Sequence, residues 1–471
     1  MNIFHRVFAI IKVCGEYHCM NMTYEEALFM RTKVIGYASN FRENILKAFR
    51  INQLFAENKI KKYNNCKEAR RQSGKVSIKD LFIHYWNDFK VKYSKQLTRQ
   101  SIIDNVEKMI KCGSYDVDNG YLYFECPNPV CSNFHIQPFT CKSRFCPSCG
   151  KKYNDARVKE ICKKCIDVTH RHITFTISEK LRNYFLLDRT LIDCLFEAVE
   201  DTFNYMSHKA APNKEYKFGF ISTLHTFGRD LKFNPHLHVL IAECVIDKDN
   251  EIKKWEYFNY EQMRKSFQKA LLDRMTHRIN TAQFRKVKNE IYSTSKNGFY
   301  VHGPKHDNEK IKSKKDIVKY VVRYAGHPAI SESRIISIDY INNIVSYYYD
   351  PHEDTDGHTI EKKGRQFIKE PVDEFIKKLI IHIPENGKHN IRYYGFYANK
   401  SSKRPIIRKI KWPMYTSKAI KAMISELSWR DKILKTFDYD ILMCDRCGKT
   451  LVLVPDLCYI PASMKRKRNY G

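Results

Sequence analysis

The chain has no stretch of about 18 uninterrupted apolar residues, which excludes a helix built to span a bilayer. Its start, Met1-Asn-Ile-Phe-His-Arg-Val-Phe-Ala-Ile-Ile-Lys, is only mildly apolar. Arg6 and Lys12 break it and no small-residue cleavage site follows, so a secretory leader is not expected. The 17 glycines nowhere form G-x4-G-K-[ST], so a nucleotide-hydrolysing phosphate loop is not expected. Internal repeats and low-complexity linkers are absent too, which argues against a solenoid or a flexible tether. Negative charge is scarce: 52 Asp and Glu face 83 Lys and Arg, a net charge of +31. Solubility does not require such an excess, and it points to a polyanionic partner, most simply nucleic acid. A polybasic membrane surface is the competing use, but the charge is spread along the chain.

What is present begins with 16 cysteines. In a chain read as not exported they sit in a reducing compartment, where clustered pairs are metal ligands rather than disulfides. Five fall close together: Cys126, Cys131, Cys141, Cys146 and Cys149, with His135 among them. Cys146-Pro-Ser-Cys149-Gly150 is a knuckle in which two thiolates reach one ion and the glycine permits the turn. Cys126 and Cys131 are the natural second pair, giving a closed structural zinc site, with Cys141 and His135 as alternates or ligands of a second ion. Lys142, Arg144, Lys151 and Lys152 surround the segment, as a zinc module lying on a phosphate backbone requires. Cys162 and Cys165 lack a second pair and read as buried on a helix. Cys444-Asp-Arg-Cys447-Gly448 is a further knuckle, with Cys458 nearby, and a zinc there needs partners from elsewhere.

Around these lie the elements. Residues 1–76 mix short helical patterns with a basic stretch and carry no motif. Two helices are expected within residues 78–112, a strand over His170 to Ile177, one helix from Leu181 to Ser207, and a strand from Phe218 into Phe227. Tyr257 to Thr276 reads as helix and Ala282 to His306 as loop or short elements. Ile335 to Ile338 and Ile344 to Tyr349 read as a hairpin across Asn342-Asn343. Pro371 opens a helix over Val372 to Ile381, and Lys465 to Arg468 is a basic tail.

One strand concentrates the chemistry: Asn234-Pro-His236-Leu-His238-Val-Leu-Ile. Side chains alternate across a strand, so His236, His238 and Leu240 share one face, and Leu237, Val239 and Ile241 share the other. Two imidazoles on one face can hold one ion, or can be two hydrogen-bonded strand histidines. His225 on the preceding strand is a third ligand or a structural partner. His170-x-His172 repeats the triplet and warns how cheaply it arises. Downstream, Ser313 and Asp316 form a capping box and Gly326 and Pro328 a stop. Between them Tyr320 and Tyr324 sit one turn apart on one helix face. They are a packing stripe or a pair of nucleophiles. Arg229 and Lys232, in the turn before His236, are phosphate clamps or solvated turn residues.

Leu224-His225-Thr-Phe-Gly-Arg229-Asp230-Leu-x-x-Asn234-Pro235-His236-x-His238 resembles the histidine–hydrophobe–histidine motif of the HUH endonucleases, and in particular of the two-tyrosine rolling-circle transposases of insertion sequences, relatives of Helitron proteins. Tyr320-x3-Tyr324, with Gly326-x-Pro328 and Ile330-x-Glu-Ser-Arg334 behind it, resembles that family's tyrosine motif. Ser143-Arg-Phe-Cys146-Pro-x-Cys149 is similar to its N-terminal zinc-binding domain, and Arg392-Tyr-Tyr-Gly395 and Cys444-x-x-Cys-Gly448 to its C-terminal region. The resemblance runs from about residue 77 to about 460, and four motifs in order make it specific.

The resemblance implies an α+β fold, an HUH endonuclease core whose central antiparallel sheet has flanking helices, preceded by helices and a small zinc-binding domain. It implies catalytic Tyr320 and Tyr324, and a divalent ion on His236 and His238, with His225 as the third candidate. Family behaviour favours Mg or Mn there, although imidazole suits Mn or Zn better; zinc belongs with the cysteines. The partner is then DNA, mainly single-stranded element ends, in the cytoplasm at the nucleoid and not at a membrane. The expected division is residues 1–76 unassigned, 77–165 zinc-binding and DNA-contacting, 166–350 catalytic, and 351–471 a basic C-terminal region with a knuckle. The expected activity is strand nicking and transfer through a 5′-phosphotyrosine. A plasmid replication initiator or relaxase, or a non-catalytic zinc-dependent DNA-binding protein, is the alternative.

Overall fold

The structure, a computed structural model, describes residues 6–13, 16–23, 77–112, 120–131, 133–147, 149–150, 161–162, 164–303, 316–317, 320, 329–350, 364–398, 400–401, 430–431, 434, 440, 442–455 and 458–460. Tyr324, most of its helix from Ser313 to Pro328, Lys151, Lys152 and the tail Lys465 to Arg468 lie outside the described residues. By backbone contacts the chain forms two compact units. One gathers residues 1–75, 107–142 and 427–471; the other gathers residues 76–106 and 143–426.

In the first unit, β1 (Arg6–Val13) and β2 (Glu16–Thr23) form an antiparallel hairpin where helical patterns were read. Valine, isoleucine and phenylalanine crowd β1, and these side chains favour a pleated strand over a helix. The same unit holds a small sheet in the order β14-β3-β4, from β3 (Tyr121–Glu125), β4 (Phe134–Pro138) and β14 (Val452–Leu453). Tyr121, Tyr123 and Ile136 form one small core and Phe124, Cys444 and Leu451 another.

The second unit is organised by a six-stranded antiparallel sheet. Its order is β13-β6-β7-β5-β9, with β8 also paired to β7. The strands are β5 (His170–Thr176), β6 (Lys217–Phe227), β7 (Phe233–Ile246), β8 (Ile252–Lys254), β9 (Val301–His302) and β13 (Ile391–Gly395). The period-two pattern of β7 sorts its side chains as expected. Leu237, Val239 and Ile241 point into a buried apolar core with Ile173 and Phe175 of β5 and Phe220 and Leu224 of β6. Each such side chain contributes about 1.5–3 kcal/mol when fully buried. Helices α3 (Glu179–Leu187), α4 (Ile192–Ala210), α5 (Tyr260–Ile279) and α6 (Ala282–Thr294) supply the rest of that core, including Phe185, Phe196, Phe203, Phe267, Phe284 and Ile291.

Two expectations need correction. The single helix over Leu181 to Ser207 is broken at Asp188, whose side chain accepts hydrogen bonds from the Thr190 backbone N–H (2.8 Å) and hydroxyl (2.7 Å) and starts a 3₁₀ turn instead. The region from Ala282, expected as loop or short elements, opens with a regular helix of 13 residues, Ala282–Thr294. Thr281 caps it by accepting from the Phe284 N–H at 3.2 Å, and only Phe284 and Ile291 are fully buried, so its apolar stripe is thin. Elsewhere, α1 (Ile78–Lys92), α2 (Gln100–Lys111) and α7 (Val372–Ile380) stand where helices were expected. The expected hairpin is also present. It joins β10 (Ile335–Asp339) to β11 (Ile344–Tyr349), and β12 (Gln366–Pro371) adds a third strand. Asn343 takes the left-handed φ of 54° that the turn needs. No helix among the described residues is long and apolar enough to cross a membrane.

Candidate metal centre and nucleophile

The opposite face of the same sheet carries the chemistry. β6 and β7 pair so that His225 lies directly across from His236, and Thr223 across from His238. Their turn, Gly228 to Lys232, is fixed from several sides. Gly228 N–H donates to the Lys232 carbonyl (2.9 Å) and Lys232 N–H to Asp230 Oδ1 (3.1 Å). Leu231, fully buried, holds an unfavourable φ of 64°. His382 stabilises it: Nε2–H donates to the Leu231 carbonyl at 3.0 Å, leaving Nδ1 to accept from the Thr226 hydroxyl at 3.1 Å.

One nitrogen from each of His225, His236 and His238 falls within 4.8 Å of the other two. His236 and His238 face each other through Nε2 atoms 3.1 Å apart. That is the spacing of two nitrogens bound about 2.1 Å from one ion. His236 Nδ1–H donates to the Asn234 carbonyl at 2.8 Å, which fixes the tautomer and turns the Nε2 lone pair inward. Burial lowers the His236 pKa from its ordinary value, so the ring is the neutral form a metal requires. The three imidazoles therefore fit a divalent ion with nitrogen preference.

A fourth histidine completes the arrangement. His172 of β5 places Nε2 2.9 Å from His238 Nδ1, and Thr174 Oγ1 lies 3.3 Å from both. With His238 Nε2 facing the centre, His238 Nδ1–H donates to His172. The other side of the His172 ring meets Tyr320 edge to face, with centroids 5.1 Å apart. Tyr320 is helical and only 5% exposed, in a cluster with Leu240, Ala242 and Ile317. Its position is that of a residue packed on the sheet, with its ring beside His172. His172 was missed because its triplet was read only as a warning. The alternation of β5 next to β7 is the signal that could have found it.

His170, its neighbour on the same face, is purely structural. It bridges the Val168 carbonyl (2.8 Å) and the Tyr397 hydroxyl (2.7 Å), and complete burial lowers its pKa from 6.5 to about 4. Burial does the same for His382. Imidazoles held neutral in the fold stabilise it fully above pH 6.5, and that contribution is lost as pH falls towards 4. For His170 the loss at pH 5 is about 2 kcal/mol. Denaturation at pH 7 and pH 5 should therefore show a smaller acid destabilisation, by about that amount, in His170→Gln than in the unaltered chain.

The cysteines are distributed differently from expectation. Cys126 and Cys131 do not pair with Cys146 and Cys149, which belong to the other unit, both buried, with Gly150 N–H closing the turn on the Cys146 carbonyl at 2.8 Å. Cys126 and Cys131 instead meet Cys444 and Cys447, because β14 pairs with β3 and brings the C-terminal knuckle beside them. Cys141 lies by Cys112, its N–H donating to that thiol at 3.4 Å. Cys162 and Cys165 are buried in the core behind Tyr320, as expected. Of the basic candidates, Arg229 is exposed and donates to the Asp350 carbonyl (3.0 Å), and Lys232 is exposed beside Asp230 (3.6 Å). Arg144 reaches the Lys388 carbonyl at 3.3 Å, and Lys142 is exposed at a left-handed φ of 55°.

Residues 81–177 match the family model described as "Transposase zinc-binding domain", and residues 219–404 match that described as "Putative transposase". The second contains His225, His236, His238 and Tyr320. The chain belongs to the two-tyrosine insertion-sequence transposases, in which a zinc-binding domain precedes the transposase domain. It is 26% identical over 312 residues to the "Transposase for insertion sequence element IS801" of Pseudomonas savastanoi pv. phaseolicola, covering 63% of this chain and 70% of that protein. It is 22% identical over 287 residues to the "Putative transposase y4qJ" of Sinorhizobium fredii (strain NBRC 101917 / NGR234), covering 57% and 69%. No solved structure matches.

Proposed function

We propose that this transposase nicks and rejoins single-stranded DNA at its element's ends, in the cytoplasm at the nucleoid, as the strand-transfer step of rolling-circle transposition. The observation that carries the reading is the chain of contacts from three convergent histidines through His172 to the Tyr320 ring. Tyr320 is the attacking group. Its phenolate oxygen forms a bond to phosphorus as the bond to the 3′-oxygen breaks, leaving a 5′-phosphotyrosine and a free 3′-hydroxyl. The phosphodiester energy is kept in the adduct, so attack by a 3′-hydroxyl reseals without ATP. A phenol with a pKa near 10 is a weak nucleophile at neutral pH, so the phosphate must be made electrophilic. Mn or Mg, when held by His225, His236 and His238, supplies that charge stabilisation at the phosphate oxygens. Asn234 and His172 orient two of those ligands, and Leu240 and Ala242 hold the tyrosine ring against the sheet. Tyr324 serves the second transfer. Arg229, Lys232, Lys142 and Arg144 bind backbone phosphates, to which the net charge of +31 draws the chain.

The test is incubation of the full chain with labelled single-stranded end sequences and Mn or Mg, then mass mapping of the tyrosine that carries DNA. A metal-dependent adduct on the peptide containing Tyr320 is expected, and cleavage without any adduct would refute the reading. His172→Ala should weaken Mn binding about 10- to 100-fold, the usual loss when a ligand's orienting partner is removed. Calorimetric titration with Mn measures this, and affinity for single-stranded DNA without metal should not change.

A further inference from the structure

The first unit closes on itself through chain segments that are far apart in sequence. Cys126 Sγ lies 3.4 Å from Cys447 Sγ across 321 residues, and Cys131 Sγ lies 3.7 Å from Cys444 Sγ across 313. All four sulfurs fall within 4.8 Å of one another. Four thiolates bound tetrahedrally about 2.3 Å from one zinc ion are about 3.8 Å apart. The surroundings are built for thiolates. Gly448, at φ +72° with open space around it, turns the knuckle so that its N–H meets the Cys444 carbonyl at 2.9 Å, while Cys444 N–H meets the Lys449 carbonyl at 2.9 Å. Asn133 Nδ2 donates to Cys444 Sγ at 3.3 Å. The two halves are also stitched by backbone: Val452 and Leu453 pair with Glu125 and Phe124, and Tyr121 and Tyr459 exchange hydrogen bonds of 2.8 and 3.0 Å. Neither matching family model reaches the C-terminal pair, since they span residues 81–177 and 219–404.

We propose that Cys126, Cys131, Cys444 and Cys447 bind one zinc ion, so that the zinc-binding domain near the start of the chain is completed by a knuckle near its end. The ion is structural, since four protein ligands leave no open position. The site comes into being only once the ribosome has made residue 447, so an interrupted transposase lacks it.

Zinc content of the purified full-length chain, by mass spectrometry of the metals, tests this. Cys444→Ser/Cys447→Ser should hold one zinc fewer than the unaltered chain, and so should Cys126→Ser/Cys131→Ser. The quadruple variant should also hold one fewer, not two. Cys447→His, at an exposed position where imidazole can replace the thiolate, should retain the ion. Cys458→Ser, in the same segment but outside the cluster, should retain it as well. Retention of all zinc by the Cys444/Cys447 variant, additive losses in the quadruple variant, or iron in place of zinc would overturn the proposal.

Discussion

Tyr320→Phe should abolish the covalent adduct between this chain and single-stranded DNA. One oxygen is removed from a ring that is otherwise held by Leu240, Ala242 and the edge of His172, so the packing survives while the nucleophile does not. The expected fall in strand cleavage is at least about 10³-fold, the modest end of what loss of a covalent nucleophile costs. Binding to a labelled oligonucleotide should be unchanged, and denaturation should differ by less than about 1 kcal/mol. If the variant formed adduct at the full rate, with Tyr324 carrying the DNA, Tyr320 would be a packing residue and the assignment would be lost.

His238→Ala should come second in size. His238 touches His236 at 3.1 Å and His172 at 2.9 Å, so its removal opens the centre and frees the residue that orients it. Loss of one group stabilising transition-state charge costs about 3–4 kcal/mol, or a 10²–10³-fold fall in maximal cleavage rate. Excess Mn should not restore that rate. It should restore the His172→Ala variant, in which all three ligands remain and only affinity is reduced. A Mn titration of cleavage for the two variants separates the roles. Identical curves would mean that His172 is itself a ligand, or that His238 is not.

Much of the centre was legible because a strand has a period of two. Once Asn234-Pro-His236-Leu-His238 is read as strand, the division between Leu237 and His238 follows from backbone geometry, and the structure divides them that way. Cross-strand register was not legible. That His225 faces His236, and that His172 reaches His238 from the other side, depends on strand order, which no local pattern encodes. Cysteine spacing identified pairs that could share an ion, but not which pairs meet. Cys126 and Cys131 find Cys444 and Cys447 through β14, two residues long and with no sequence signal of its own. The helix from Ala282 was hidden by its thin apolar stripe, and the break at Asp188 by the apolar residues on both sides of it.

The three residues that would hold an ion at the histidine centre all offer imidazole, which binds a metal without bringing negative charge, and the group beside His238 Nδ1 is another imidazole where a carboxylate often stands. Neutral donors leave the two positive charges of a bound divalent ion uncompensated. Free of DNA, such a centre has modest affinity for a hard ion, since no anion shares the cost of stripping its water. A DNA phosphate supplies the missing negative charge. Each ligand then raises the affinity of the other by the same factor, as thermodynamic linkage demands. On the proposed function, the centre would act as a coincidence detector: it would fill best when a single strand already lay across it, so that cutting power would be assembled on the substrate.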